Sequence, residues 1–245
     1  RWAEGGVSKS EPYKKLFAAA GDKTALGEVS PTYLASLEAP GRIKNYVPDA
    51  KLVAILRHPV ERAYSQWQME FRQGNEKAES FAEAIQTVKV VSDGTSRRRF
   101  VAGSLYYQLL KKYYDIFDPS QICVLLFDRL ATDREGLVKK LYGFLNVDSS
   151  FVPPNINVRF NEGGGVPRTR TGGFLLQKLF PVLSGLKSLA PQGLRERFAA
   201  QARRQLLVKP PELAPELRAE LSVFFKDDIL HLQDLIKEDL SMWLN

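Results

Sequence analysis

The hydrophobic period of this chain changes most clearly between residues 51 and 67. Leu52 to Leu56 is an unbroken apolar run, the pattern of a short buried strand. It stops at the cation Arg57. Pro59 then suits the first turn of a helix, where its missing N–H costs nothing. Val60, Ala63, Tyr64 and Trp67 follow the i, i+3, i+4, i+7 spacing and predict a core-facing stripe, with Arg62, Ser65, Gln66 and Met69 on another face. A second apolar run, Ile122 to Phe127, predicts another buried strand, and Leu105, Leu109, Tyr113 and Phe117 recur at helical spacing over 105–117. Further helices are predicted over 41–47, ended by Pro48-Asp49, and over 81–88, with Ser80 as cap and Glu83 at the capping-box position. Others are predicted over 134–145, capped by Asp133, and as one or two amphipathic helices over 216–244. Residues 31–39 read as a loop and short helix, and Gln73-Gly74-Asn75-Glu76 as a turn. Strands alternating with helices imply an α/β fold with a parallel sheet.

In that order of elements Arg57 stands at the carboxyl edge of a sheet, where open α/β folds bind ligands. Arg57 and Ser65 can converge there on one anion. Arginine supplies planar bidentate donors and serine a short hydroxyl, a suitable pair for phosphate. The alternative is a strand-end arginine in a salt bridge and a serine on a solvated face. Lys and Arg exceed Asp and Glu by 35 to 28, a net charge of +7 that suits an anionic donor, an anionic acceptor or nucleic acid. No nucleic-acid motif or aromatic–basic interleaving supports the last, and the clusters Arg97-Arg98-Arg99 and Arg203-Arg204 read as solvated faces. No run approaches the roughly 20 apolar residues of a membrane span, and membrane contact is not expected. The lone Cys123 lies inside a predicted strand and reads as an inert buried thiol, which suits a reducing, cytoplasmic and bacterial setting rather than the Golgi lumen. With Cys123, only His58 and His231 offer soft ligands, and no metal site is expected. His58 reads as a helix cap and His231 as structural.

Taken with its neighbours, the 52–65 segment resembles the 3′-phosphate-binding segment of sulfotransferases that use 3′-phosphoadenosine 5′-phosphosulfate (PAPS). Other segments resemble the same family in the same order. These are Gly27-Glu28-Val29-Ser30-Pro31-Thr32-Tyr33 for its E-x-S-P-x-Y, and Ser104-Leu105-Tyr106, Leu110 and Phe117 for its G-L-Y-x-x-x-L…F helix. Ile122 to Leu130 resembles its later strand and E-D-L turn, Phe144-Leu145-Asn146-Val147 its F-L-G-V, and Asp239-Leu240-Ser241-Met242-Trp243 its D-L-S-x-W ending. The likeness covers about residues 1–161 and 220–245.

The resemblance implies a single domain over 1–245 with a three-layer, P-loop nucleotide-kinase-like fold. It also implies transfer of a sulfuryl group from PAPS to a hydroxyl or amine, with adenosine 3′,5′-bisphosphate (PAP) released and no metal needed. Arg57 and Ser65 would hold the 3′-phosphate. Glu28, Tyr33 and Tyr106 become substrate-side candidates, with packing as the competing role for Glu28. Arg62 could take a structural role, paired with a carboxylate such as Glu28. Arg168 and Arg170, in the Gly- and Arg-rich stretch 159–173, are candidates for a loop over the nucleotide, with a plain surface loop as the equal alternative. The apolar stretch 174–189 reads as a core helix or lid. The family's 5′-phosphosulfate loop, with its catalytic Lys and a following Glu base, has no match here, and that segment is expected to precede Arg1. The acceptor is open among small-molecule, glycan, lipid and carrier-bound hydroxyls. Two rivals stand beside this reading: a degenerate, non-catalytic nucleotide- or anion-binding module, and a P-loop kinase-like phosphotransferase.

Overall fold

A computed structural model of the chain describes residues 13, 15, 17–86, 99–158, 166–167, 207–208 and 212–244. Arg168 and Arg170, the 174–189 stretch and the 97–99 and 203–204 side chains lie outside the described residues. In chain order the elements are α1 (Ala39–Tyr46), β1 (Leu52–Leu56), α2 (Pro59–Arg72), α3 (Phe81–Gln86), α4 (Arg99–Ala102), α5 (Tyr106–Tyr114) and β2 (Ile122–Leu126). They continue with α6 (Arg129–Thr132), α7 (Arg134–Leu145), β3 (Val166–Pro167), β4 (Leu207–Val208) and α8 (Pro215–Ile236), followed by a 3₁₀ turn at Ser241–Trp243.

β1 and β2 pair in parallel, Leu52 opposite Ile122 through Leu56 opposite Leu126. Hydrogen bonds beyond the paired residues hold that register at both ends, from side chains at the start. Asp118 and Gln121 form a capping box around the turn before β2, and Gln121 Nε2 donates to the carbonyls of Pro48 and Ala50 just before β1. At the carboxyl end the Phe127 N–H continues the ladder to the Leu56 carbonyl at 2.7 Å. β2 is buried along its whole length, whereas β1 alternates, with Val53 and Ile55 on a more open face.

The expected α/β architecture, a parallel sheet flanked by helices, is the observed one. The stripe Val60, Ala63 and Trp67 is buried on α2 with Tyr64 at its margin, stacking Trp67 between Tyr64 and Phe71. α8 packs across α5 and α2 and delivers Leu221, Phe225, Ile229 and Leu232 to the same core, which Trp243 closes. On the other side of β2, α7 buries Leu137 against Cys123 and Leu125. Burial pushes the Cys123 thiol up from its ordinary pKa, as expected of an inert thiol.

The predicted caps form. Ser80 Oγ accepts from the Glu83 N–H, and the Glu83 carboxylate accepts from the Glu79 N–H. Asp133 accepts from the Gly136 N–H, and α7 ends on Asn146 in the left-handed conformation that suits asparagine. Two expectations shift. Of the predicted 105–117 stripe, Tyr113 and Phe117 are buried as expected, whereas Leu105 and Leu109 are only half-buried and Tyr106 and Leu110, one position on, take the buried places. α8 packs along this helix, so its buried arc is not centred on the 105–109 line. The 159–173 stretch, expected to lack regular structure, contains β3, which pairs antiparallel with β4 beside α2. None of the described helices is long and apolar enough to cross a membrane.

Candidate functional site

The β1–α2 junction makes a cationic corner. His58 sits between strand and helix as the N-cap, its Nδ1 accepting from the Val60 N–H at 3.2 Å. Desolvation lowers the His58 pKa below its ordinary value, which keeps Nδ1 a bare acceptor. Pro59 takes the first helical position and Glu61 lies in the first turn, where a carboxylate favours the helix dipole.

Arg57 is held from three sides. Its carbonyl accepts from the Tyr106 hydroxyl at 2.9 Å. Its guanidinium lies 5.6 Å from the ring centroid of Phe127, the residue immediately after β2. One of its terminal nitrogens is 3.3 Å from Glu61 Oε2. The other Glu61 oxygen, Oε1, takes Arg218 of α8. Arg57, Glu61 and Arg218 thus form a triad with formal charge +1, still partly open to solvent, the Arg57 side chain being 38% exposed. Ser65 follows Glu61 by one helical turn on the same face, half-buried. Ser65 therefore lies on α2 one turn further from the strand end than Glu61, and among the described residues no hydrogen bond joins it to Arg57. A phosphate suits this donor set of a planar cation, a hydroxyl and residual positive charge.

Tyr106, expected on the substrate side, is 2% exposed. Its hydroxyl has an internal acceptor, and burial pushes its pKa up to about 12. It acts on the corner through the backbone of Arg57. Arg62 does not pair with Glu28. It points inward, donating to the Phe100 carbonyl and to Ser104 Oγ, and desolvation lowers its pKa. A Cβ on Gly103 would come within 2.6 Å of the Arg62 guanidinium, so the glycine permits this approach.

Glu28 and Tyr33 make a second, separate group. Glu28 accepts from Ser30 Oγ at 3.4 Å; its carboxylate raises the pKa of Tyr33, and burial followed by the same carboxylate raises that of Tyr13. Tyr33 is tied to the core by its own carbonyl, which accepts from the Tyr113 hydroxyl at 2.6 Å. Among the described residues no hydrogen bond or ion pair joins this group to Arg57. Sequence reasoning missed three contributors to the corner: Glu61, Phe127 and Arg218. Glu61 was legible as the i+4 neighbour of Arg57. Arg218 carries no local signal, because its partner is 157 positions away.

Comparison with known proteins bears on this geometry. The profile of the Sulfotransferase family matches residues 9–151. Over 152 residues, 59% of the chain, the sequence is 28% identical to the bifunctional heparan sulfate N-deacetylase/N-sulfotransferase 1 of Caenorhabditis briggsae, of which the match covers 18%. Over 159 residues, 63% of the chain, it is 27% identical to the heparan sulfate glucosamine 3-O-sulfotransferase 6 of Mus musculus, of which the match covers 44%. The chain therefore spans less than half the length of these curated relatives. The fold superposes on the crystal structure of a sulfotransferase from Alicyclobacillus acidocaldarius with a TM-score of 0.68 and 25% identity, over 98% of this chain and 75% of that one.

Proposed function

Since this chain belongs to the sulfotransferase family, we propose that it works in sulfuryl transfer from PAPS to a hydroxyl or amine acceptor, releasing PAP. The observation that carries the reading is the Arg57 corner: a partly open arginine at the carboxyl end of a parallel strand, with Ser65 one turn beyond Glu61 on the adjoining helix. In that role Arg57 forks onto two oxygens of the donor's 3′-phosphate, and Ser65 donates a third hydrogen bond. The 3′-phosphate lies on the far side of the ribose from the transferred group. Binding energy gathered there fixes the donor so that an acceptor oxygen or nitrogen can approach sulfur in line with the breaking bond to the nucleotide phosphate. The residual charge of the triad favours a nucleotide carrying this second phosphate over one without it.

A glycan hydroxyl or amine is the acceptor class we propose. The two eukaryotic relatives named above, both described as heparan sulfate enzymes, support that choice. The Glu28–Tyr33 group is the proposed acceptor-side surface, since its carboxylate and phenol remain accessible while its backbone is anchored to α5.

The test is calorimetric titration with PAP and with adenosine 5′-phosphate. Arg57→Ala and Ser65→Ala should each weaken PAP binding by roughly 1.5–3 kcal/mol, the worth of a charged hydrogen-bonding partner, and leave adenosine 5′-phosphate little changed. Equal losses on both nucleotides would remove the 3′-phosphate assignment.

A further inference from the structure

We propose that Arg218 is a positioning residue for donor binding, acting through Glu61 on Arg57. The inference rests on the reading of Arg57 as the 3′-phosphate ligand. A carboxylate 3.3 Å from that guanidinium is an intramolecular competitor for any incoming anion and adds a repulsive charge beside it. Glu61 gives a different oxygen to each arginine. Oε2 lies 3.3 Å from Arg57, long for a charge-assisted hydrogen bond, and Oε1 takes Arg218. Arg218 thus holds the carboxylate and offsets its charge, so that Glu61 can orient the Arg57 fork without outcompeting phosphate for it.

Magnitudes favour this role over a stabilising one. Arg57, Glu61 and Arg218 have side chains 38%, 29% and 42% exposed, and ion pairs this open contribute at most about 1 kcal/mol to stability. Their charge state nevertheless acts directly on an anion bound at Arg57. With Arg218 the corner is +1, and without it Arg57 and Glu61 cancel. Arg218 also lies outside residues 9–151, the stretch that matches the family profile, so the device joins the matched segment to the C-terminal helix of this chain.

The experiment is calorimetric titration of the whole chain with PAP and with adenosine 5′-phosphate, alongside thermal melts, for Arg218→Ala, Arg218→Lys, Glu61→Gln and the Glu61→Gln/Arg218→Ala double variant. Arg218→Ala should weaken PAP binding about tenfold, with little effect on adenosine 5′-phosphate. Arg218→Lys, which keeps the charge, should recover part of the loss. The double variant should return to within about threefold of the parent, because with no carboxylate there is nothing for Arg218 to restrain. Glu61→Gln alone should tighten PAP binding about threefold, which tests the idea even where Arg218→Ala fails to fold. A double variant as weak as Arg218→Ala, or a loss of PAP binding in Glu61→Gln, overturns the proposal while leaving the donor site standing. A parent protein that does not prefer PAP, or an Arg57→Ala variant that keeps the preference, overturns both.

Discussion

Replacing Tyr106 by phenylalanine isolates the bond that ties the interior to the Arg57 corner. The substitution deletes one oxygen and almost no volume, so the cavity term is small. What it removes is the donor to the Arg57 carbonyl, at 2.9 Å, from a side chain 2% exposed. Leaving a buried acceptor without its donor costs about 1–3 kcal/mol, and the low exposure places the expected loss near the middle of that range. Urea unfolding of Tyr106→Phe should show a lower midpoint at unchanged slope. Because burial raises the phenol pKa to about 12, the hydroxyl remains a donor across neutral and mildly alkaline pH, and the loss should not vary with pH there. The same bond fixes the peptide from which the guanidinium projects. PAP affinity should therefore fall about threefold or more, since even small misplacement of a positioning group is costly. A midpoint within error of the parent, together with unchanged PAP affinity, would refute the view that the interior sets the geometry of Arg57.

Two other perturbations test the frame around the corner. His58 is neutral in the fold because burial lowers its pKa, so the unfolded chain takes up the proton first as pH falls through about 6.5, and stability should drop from there toward the folded-state pKa. His58→Asn, which keeps a cap acceptor for the Val60 N–H and cannot titrate, should flatten that part of the melting-temperature profile; an unaltered slope would assign the titration elsewhere. Trp243 is buried and donates from Nε1 to Asp128 Oδ2 at 3.1 Å, so Trp243→Phe should cost about 2–4 kcal/mol in urea unfolding from lost packing and a lost charged hydrogen bond. A double-mutant cycle with Asp128→Ala, which removes the acceptor, should return a coupling of about 1 kcal/mol, and additive losses would deny the bond a role.

Most of the frame was legible because it is written locally. An apolar run, a cation, a proline and a 3.6-residue stripe define β1, the corner and α2 within 16 residues of one another, and each cap is a side chain two or three positions from the N–H it serves. What was not legible is set by partners far along the chain. The first half of the 105–117 stripe was read one position off because α8, more than 100 positions later, covers the Tyr106–Leu110 side and presents Asp228 to the Tyr107 N–H. Periodicity put Arg62 off the core-facing stripe, with a carboxylate such as Glu28 as its structural partner, yet it turns inward, because Gly103 leaves room for a guanidinium and Ser104 and Phe100 supply acceptors. Tyr106 looked like a site residue on resemblance alone, and its buried hydroxyl places it one step behind the site.

The same distant partners decide what kind of anion site the corner makes. An arginine on a free strand end would lose side-chain entropy on taking a phosphate, and much of its hydrogen-bond energy would go to ordering it. Here Tyr106 holds the Arg57 peptide, Phe127 lies under its guanidinium, and Glu61 sets the direction of its fork before any ligand arrives. The ordering is therefore met by folding, through β2, α5 and α2, rather than by binding. Two of those contacts are neutral. The third carries a charge opposed to function, and it is tolerable only because Arg218 shares it. Preorganisation by a carboxylate and affinity for an anion are in conflict at this position, and the C-terminal helix is the element that reconciles them.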